Sequence, residues 1–181
     1  MYSVSPKSET PIEILRKALK NIYTAFIKHD HKYLQELKTL NKQLNIMCQK
    51  KDSLFPPVFQ HIFNDINNLA DTINIKIQEG VLFSDKAIFE MRELFEGMDE
   101  LMRHMQDLLL TQNPILAQYI LRKTTEYKDK MRCFTTEHEE RLIKGICLPR
   151  SSTLYLNLME AFKDLATRME TIVKECKGNM S

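Results

Sequence analysis

Turn-forming residues are scarce in this 181-residue chain, which holds four glycines, six prolines and no tryptophan. So few breaks over that length argue against many short strands joined by tight turns, and for few, long elements, that is, helices. No stretch alternates apolar and polar residues for long enough to read as a strand. Charge of one sign is missing as well. A net charge of +2 provides no basic field to attract a phosphate backbone, so no nucleic-acid partner is expected. No apolar run approaches the roughly 18–20 residues needed to span a bilayer. The four cysteines, Cys48, Cys133, Cys147 and Cys176, lie far apart and form no CxxC pair. With no secretory signal pattern, the expectation is reduced thiols in a soluble, cytoplasmic protein. Neither a nucleophile beside its base, nor a glycine loop for phosphate, nor an oxyanion site can be read from the chain. The expected protein is therefore not an enzyme, and no cofactor, bound metal or small-molecule substrate is expected.

What the chain does have is helical periodicity. Residues 1–9 show none and read as a mobile tail. Thr10 before Pro11 is a good helix start, because threonine caps and proline tolerates the first turn. Ile12, Leu15, Leu19, Ile22 and Phe26 then recur at steps of three and four, one face of a helix. Asp30 is the expected cap of a second helix with Leu34, Leu37, Leu44 and Met47 inward, broken by Ser53 and Pro56-Pro57. A third helix carries Val58, Ile62, Ile66, Leu69 and Ile73 inward to about Glu79, and Gly80 stops it. Ser84 opens a fourth with Ile88, Met91, Phe95, Met98, Met102, Met105 and Leu109 inward. Asn113-Pro114 opens a fifth, which Gly145 and Pro149 end. Ser151 or Ser152 is the expected cap of a sixth, with Leu154, Leu158, Phe162, Leu165, Met169 and Ile172 inward.

The stretch INNLADTINIKIQE, residues 66–79, has a counterpart in FKDLATRMETIVKE, residues 162–175. An offset of 83 carries the apolar positions of the first helix onto Phe95, Met98, Met102, Met105 and Leu109, and Asp30 onto Asn113. An offset of 96 carries those of the third helix onto Leu154, Leu158, Phe162, Leu165 and Met169. The reading is an all-α fold of six helices, built as two tandem three-helix repeats packed side by side. The repeats would be residues 10–80 and 81–177, with a short tail at 178–181.

The second half carries a resemblance. FSDKAIFEMRELFEGMDELMRHMQDLLLTQNP, then EHEERLIKG, then RSSTLYLNLMEAFKDLATRMETIVKE, resembles the PhoU-like phosphate-transport regulators. Within them it is most similar to the cytoplasmic domain that follows the membrane part of bacterial sodium/phosphate symporters. The matching elements are His138-Glu139-Glu140-Arg141-Leu142 and Ser151-Ser152-Thr153-Leu154-Tyr155-Leu156. The order of such short elements carries the likeness, over residues 83–175 in recognisable residues and 11–176 in architecture. The resemblance implies a bundle of two three-helix units and a role in regulating or supporting phosphate uptake. It implies as partner a membrane phosphate transporter, in the same chain or a separate one, and a place at the inner face of the membrane.

Several members of the family bind iron or zinc clusters through a Glu-x-x-x-Asp in the third helix of each repeat, a spacing that stacks two carboxylates on one helix face. This chain departs from that pattern. The slots hold Asn67-Asn68-Leu69-Ala70-Asp71 and Lys163-Asp164-Leu165-Ala166-Thr167. One carboxylate remains of four, and the Lys163 ammonium would repel a divalent ion. A metal-binding alternative would need other ligands, such as Asp65, Asp71 and Asp164. A third reading is a helical scaffold that forms homodimers and has no connection with phosphate.

Other clusters have plain readings. His29-Asp30-His31 reads as a polar helix junction. His138 with Glu139 and Glu140 lacks the HExxH spacing of metallopeptidases and reads as a solvated helix face. Met91, Met98, Met102 and Met105, at steps of seven, four and three, read as core rather than as a binding groove. Lys50-Lys51 and Arg122-Lys123 are too short to anchor the chain to a membrane unaided.

Overall fold

A computed structural model describes residues 9–49 and 56–178, with the backbone alone for residues 56 and 57. The six helices are α1 (Pro11–Lys28), α2 (Leu37–Cys48), α3 (Pro56–Gln78), α4 (Asp85–Thr111), α5 (Pro114–Ile143) and α6 (Pro149–Gly178). No strand occurs among the described residues. Residues 1–8, Lys50-Lys51, Ser53 and residues 179–181 lie outside the described part. α6 itself extends to Gly178, into the stretch expected as a tail.

The helix ends follow from local chemistry. Thr10 and Glu13 form a reciprocal capping box at α1: the Glu13 amide donates to Thr10 Oγ at 3.2 Å, and the Thr10 amide to Glu13 Oε2 at 2.6 Å. Ser84 and Asn113 accept amide hydrogen bonds at the starts of α4 and α5. Gly80 sits at φ 64° after α3, and the Val81 and Gly80 amides return to the carbonyls of Lys76 and Ile77. That pair of bonds needs a left-handed residue at the glycine's position.

Two expected starts differ. Asp30 does cap, through the Lys32 amide at 2.9 Å, but what it opens is a single 3-10 turn, His31–Leu34, and α2 begins only at Leu37. Ser151 and Ser152 lie inside the first turn of α6, their hydroxyls donating back to the Leu148 carbonyl at 2.9 and 3.0 Å. A hydroxyl bonded backwards is not free to cap. Pro149 opens α6 rather than ending α5, and Pro56 likewise starts α3, as suits a residue without an amide hydrogen.

Packing follows the apolar stripes. α3 lies against α6 and α1, and α1 against α4. α2 covers α1 and α3, and α5 covers α4 and α6. Every inward residue expected on α1 is buried, as are Met91, Met98, Met102 and Met105 on α4. Leu69 and Leu165 are both fully buried. On α2, Leu37, Leu40 and Leu44 form the buried stripe, while Leu34 and Met47 pack at its edge. Aromatic rings link the helices: Phe95 of α4 meets Tyr23 of α1 at 5.0 Å and, edge-on, Phe162 of α6 at 4.9 Å between centroids. Charged pairs bind the same seams, Arg16 to Asp99 across α1 and α4 at 2.8 and 2.9 Å, and Arg168 to Asp65 across α6 and α3.

Candidate functional site

The polar chemistry of the interior concentrates where α4, α5 and α6 meet. Glu90 follows the buried Ala87 on α4 and precedes the buried Met91 and Leu94, so its carboxylate points into the core and is wholly buried. A charge there is tolerable only if paired and hydrogen-bonded. Arg141, in the last turn of α5, supplies a two-pronged pair, Nη1 to Oε1 at 3.0 Å and Nη2 to Oε2 at 2.9 Å. Tyr155 of α6 donates its hydroxyl to Oε2 at 2.7 Å. Burial, with Glu90 next to it, raises the Tyr155 phenol far above its ordinary value, so it stays protonated and donating. Lys86, one turn before Glu90, reaches it at 3.6 Å and pairs with Glu137 at 2.9 Å.

His138 completes the cluster. Its ring lies flat on Tyr155, with centroids 4.1 Å apart and planes 14° apart, and it is buried rather than solvated as the sequence suggested. Glu139 and Glu140 do face solvent. The reason is the helical step: His138 shares the inward face of α5 with Phe134 and Met131, and its neighbours do not. Burial, and after it Arg141, pushes the His138 imidazolium below its ordinary pKa, so the ring is neutral. Its Nδ1 lies 3.4 Å from Arg141 Nη2. A guanidinium only donates, so Nδ1 accepts and the ring proton resides on Nε2. That Nε2 is buried and has no protein partner.

Beside His138 is a cavity of about 200 Å³ between the α3–α4 and α5–α6 connections, lined also by Leu82, Ser84, Cys147 and Leu148. The cluster ties three helices together through a charge-matched network, and it leaves two buried donors, His138 Nε2 and Arg141 Nε, without a hydrogen-bond partner.

The three residues suggested as metal ligands do not converge, although Asp65 and Asp164 lie near enough across α3 and α6 to act on one another and on Arg168. Asp65 is buried and committed to Arg168, whose second contact, from Nη2, is 3.4 Å long. Burial nevertheless raises the Asp65 carboxyl above its usual value. Asp71 and Asp164 are exposed. Asn67 and Asp71 border a groove of about 480 Å³ between α2 and α3, whereas Lys163 and Thr167 border one of about 730 Å³ between α5 and α6. The Thr167 hydroxyl is tied to the Lys163 carbonyl at 2.9 Å. Among the described residues no three His, Cys, Asp or Glu side chains converge as a metal site. Arg122 and Lys123 both pair with Glu126, at 2.7 and 3.0 Å.

The quoted elements of residues 138–142 and 151–156 therefore meet in space, and the residue that joins them, Glu90, was missed. One signal was available. Glu90 falls in phase with Ala87 and Leu94 on an apolar face, and a carboxylate at such a position requires a buried partner.

Compared with solved structures, the chain is similar to the crystal structure of PhoU from Pseudomonas aeruginosa, with a TM-score of 0.67 and 12% identity over 92% of this chain and 90% of that one. At that identity the likeness is one of fold, and the fold is the PhoU-like helical bundle. No family model and no curated protein matches the chain.

Proposed function

We propose that the protein regulates or supports phosphate uptake by binding a membrane phosphate transporter through its helix faces. The observation that carries this reading is the PhoU-like fold, shared over about nine-tenths of both chains. The sequence resemblance of residues 83–175 favours a sodium-coupled bacterial transporter as partner, with the bundle on the cytoplasmic side at the inner face of the membrane. Among the described residues no helix is long and apolar enough to cross a membrane, so the membrane part would be a separate segment or chain. The bundle itself would act by contact and not by catalysis, since the charged side chains at its buried cluster are matched to one another.

A groove of about 650 Å³ between α1 and α4 suits such contact. Arg16, Lys17 and Lys20 form one wall and Glu96, Asp99, Glu100 and Arg103 the other, with Arg16 and Asp99 paired across it and Tyr23 and Phe95 between them.

The test is made in the source cells. Deleting the gene and restoring the full chain should change, then recover, the rate of radiolabelled phosphate uptake and its response to external phosphate. Charge reversal at Lys17 and Lys20 together should fail to restore it. Uptake that is identical with and without the protein, at limiting and at abundant phosphate, refutes the reading.

A further inference from the structure

Two connections at one end of the bundle are apolar where connections are ordinarily polar. Residues 79–84 between α3 and α4 read Glu-Gly-Val-Leu-Phe-Ser, and residues 144–148 between α5 and α6 read Lys-Gly-Ile-Cys-Leu. The Arg150–Glu79 pair ties the two together. Leu82, Ile146 and Leu148 border one opening between them and are 76%, 67% and 74% exposed. Ile143, in the last turn of α5, is 86% exposed at the same end. Side chains so exposed project from the surface instead of lining a groove. At the opposite end the α4–α5 junction exposes Leu110 and Ile115, both inside helices.

The backbone at both tips is closed on itself. With Gly80 and Gly145 at φ 64° and 68°, the amides of Gly80, Val81, Gly145 and Ile146 return to the carbonyls of Ile77, Lys76, Leu142 and Arg141 at 2.9–3.1 Å. Those four amides need no water, so the tips can enter a medium of low polarity without orphaning them. The cations nearest the tips, Lys144 and Arg150, are each matched by a carboxylate, Glu140 and Glu79. Neither is free to recruit a polyanion or an acidic peptide, whereas zwitterionic headgroups, whose own charges are paired, suit them. Four aliphatic side chains are too few for a stable protein interface, which draws on about 20–30 residues a side. Together they hold roughly as much aliphatic carbon as one myristoyl chain, which binds a bilayer reversibly with K of about 10⁴ M⁻¹.

We propose that this end of the bundle dips into the surface of a neutral phospholipid bilayer, with Leu82, Ile143, Ile146 and Leu148 reaching below the headgroups. The contact is made with lipid and does not rest on the phosphate-uptake reading. It would set the bundle end-on to the membrane, with the tips of the α3–α4 and α5–α6 connections lowermost.

The chain has no tryptophan, so a single one can report from a chosen place. In the full chain, Leu148→Trp and, at the opposite end, Ile115→Trp each replace an exposed side chain and should keep the parent's helical dichroism. The probe is phosphatidylcholine vesicles brominated along the acyl chains. They should quench Leu148→Trp saturably, with an apparent lipid Kd on the order of 0.1–1 mM, and leave Ile115→Trp unchanged. Adding Leu82→Asp and Ile146→Asp to Leu148→Trp should weaken binding at least about tenfold. Replacing about a third of the lipid by phosphatidylglycerol should change the Kd by less than about threefold, since matched cations gain little. No quenching up to about 5 mM lipid, equal quenching at both positions, or undiminished binding by the aspartate pair would overturn the proposal. So would a gain of about tenfold or more with phosphatidylglycerol. A dimer in sedimentation that the aspartate pair dissociates, and that lipid does not quench, would assign the tips to a second copy and overturn it as well.

Discussion

Replacing Glu90 by glutamine tests whether the buried network holds the second half of the bundle together. Glutamine keeps the shape and one acceptor oxygen, and removes the charge that receives both prongs of Arg141 and the Tyr155 hydroxyl. Removing one partner of a buried pair costs about 3–5 kcal/mol, because the other charge is stranded. The Arg141 side chain retains 16% exposure and a Glu137 carboxylate at 3.9 Å. The low end, about 3 kcal/mol, therefore applies to Glu90→Gln. For a domain of this length that corresponds to a fall in Tm of roughly 6–12 °C. Arg141→Met should cost more, because Glu90 has no exposure at all. The double variant strands neither charge and should be less destabilised than the sum of the singles by about 2 kcal/mol. Urea denaturation of the four proteins closes the cycle. Additivity within about 0.5 kcal/mol, or a loss below about 1 kcal/mol for Glu90→Gln, would refute the network.

The other predictions concern pH, the core, the repeat and metals. His138 has its folded pKa below its ordinary 6.5, so below that value the unfolded chain takes up a proton that the folded chain refuses, and stability falls as pH drops. His138→Phe should flatten the stability profile between about pH 5 and 7. A residual slope from His29, lowered by burial and Lys76, should remain. An unchanged profile would mean that His138 is solvated. Leu69→Ala and Leu165→Ala, both at fully buried sites, should each cost about 2–5 kcal/mol in chemical denaturation. The proposed repeat requires α1–α3 to superpose on α4–α6 with Leu69 over Leu165 and Ile22 over Met105, and a best overlay in any other register counts against it. Because Asp65 is taken by Arg168 and the slot positions open onto separate grooves, elemental analysis should find no stoichiometric iron or zinc. Chelators should leave Tm unchanged, and a metal lost on Asp71→Ala would contradict this.

How much was legible in advance differs between fold and site. Apolar residues at steps of three and four, Thr10-Pro11, Ser84, Asn113-Pro114 and Gly80 are local signals, and helix formation with its end caps is decided within a turn or two of the chain. The all-helical bundle and its core methionines therefore followed from sequence alone. The caps expected at Asp30 and at Ser151 or Ser152 show the limit of that logic. A hydroxyl or carboxylate can bond to several nearby backbone groups, and the choice depends on how the flanking helices pack. What tertiary structure decided was the partnership of distant polar groups. Glu90 lies 51 residues from Arg141 and 65 from Tyr155, and His138 reads as surface from its glutamate neighbours. Only the packing of α4, α5 and α6 places one carboxylate within 3.0 Å of a guanidinium and lays a buried imidazole flat on Tyr155. The same packing gave Asp65 to Arg168. Periodicity marks which face of a helix is buried, but the group waiting on the other side is chosen by the neighbouring helix, because a buried charge is stable only where the fold brings its counterpart.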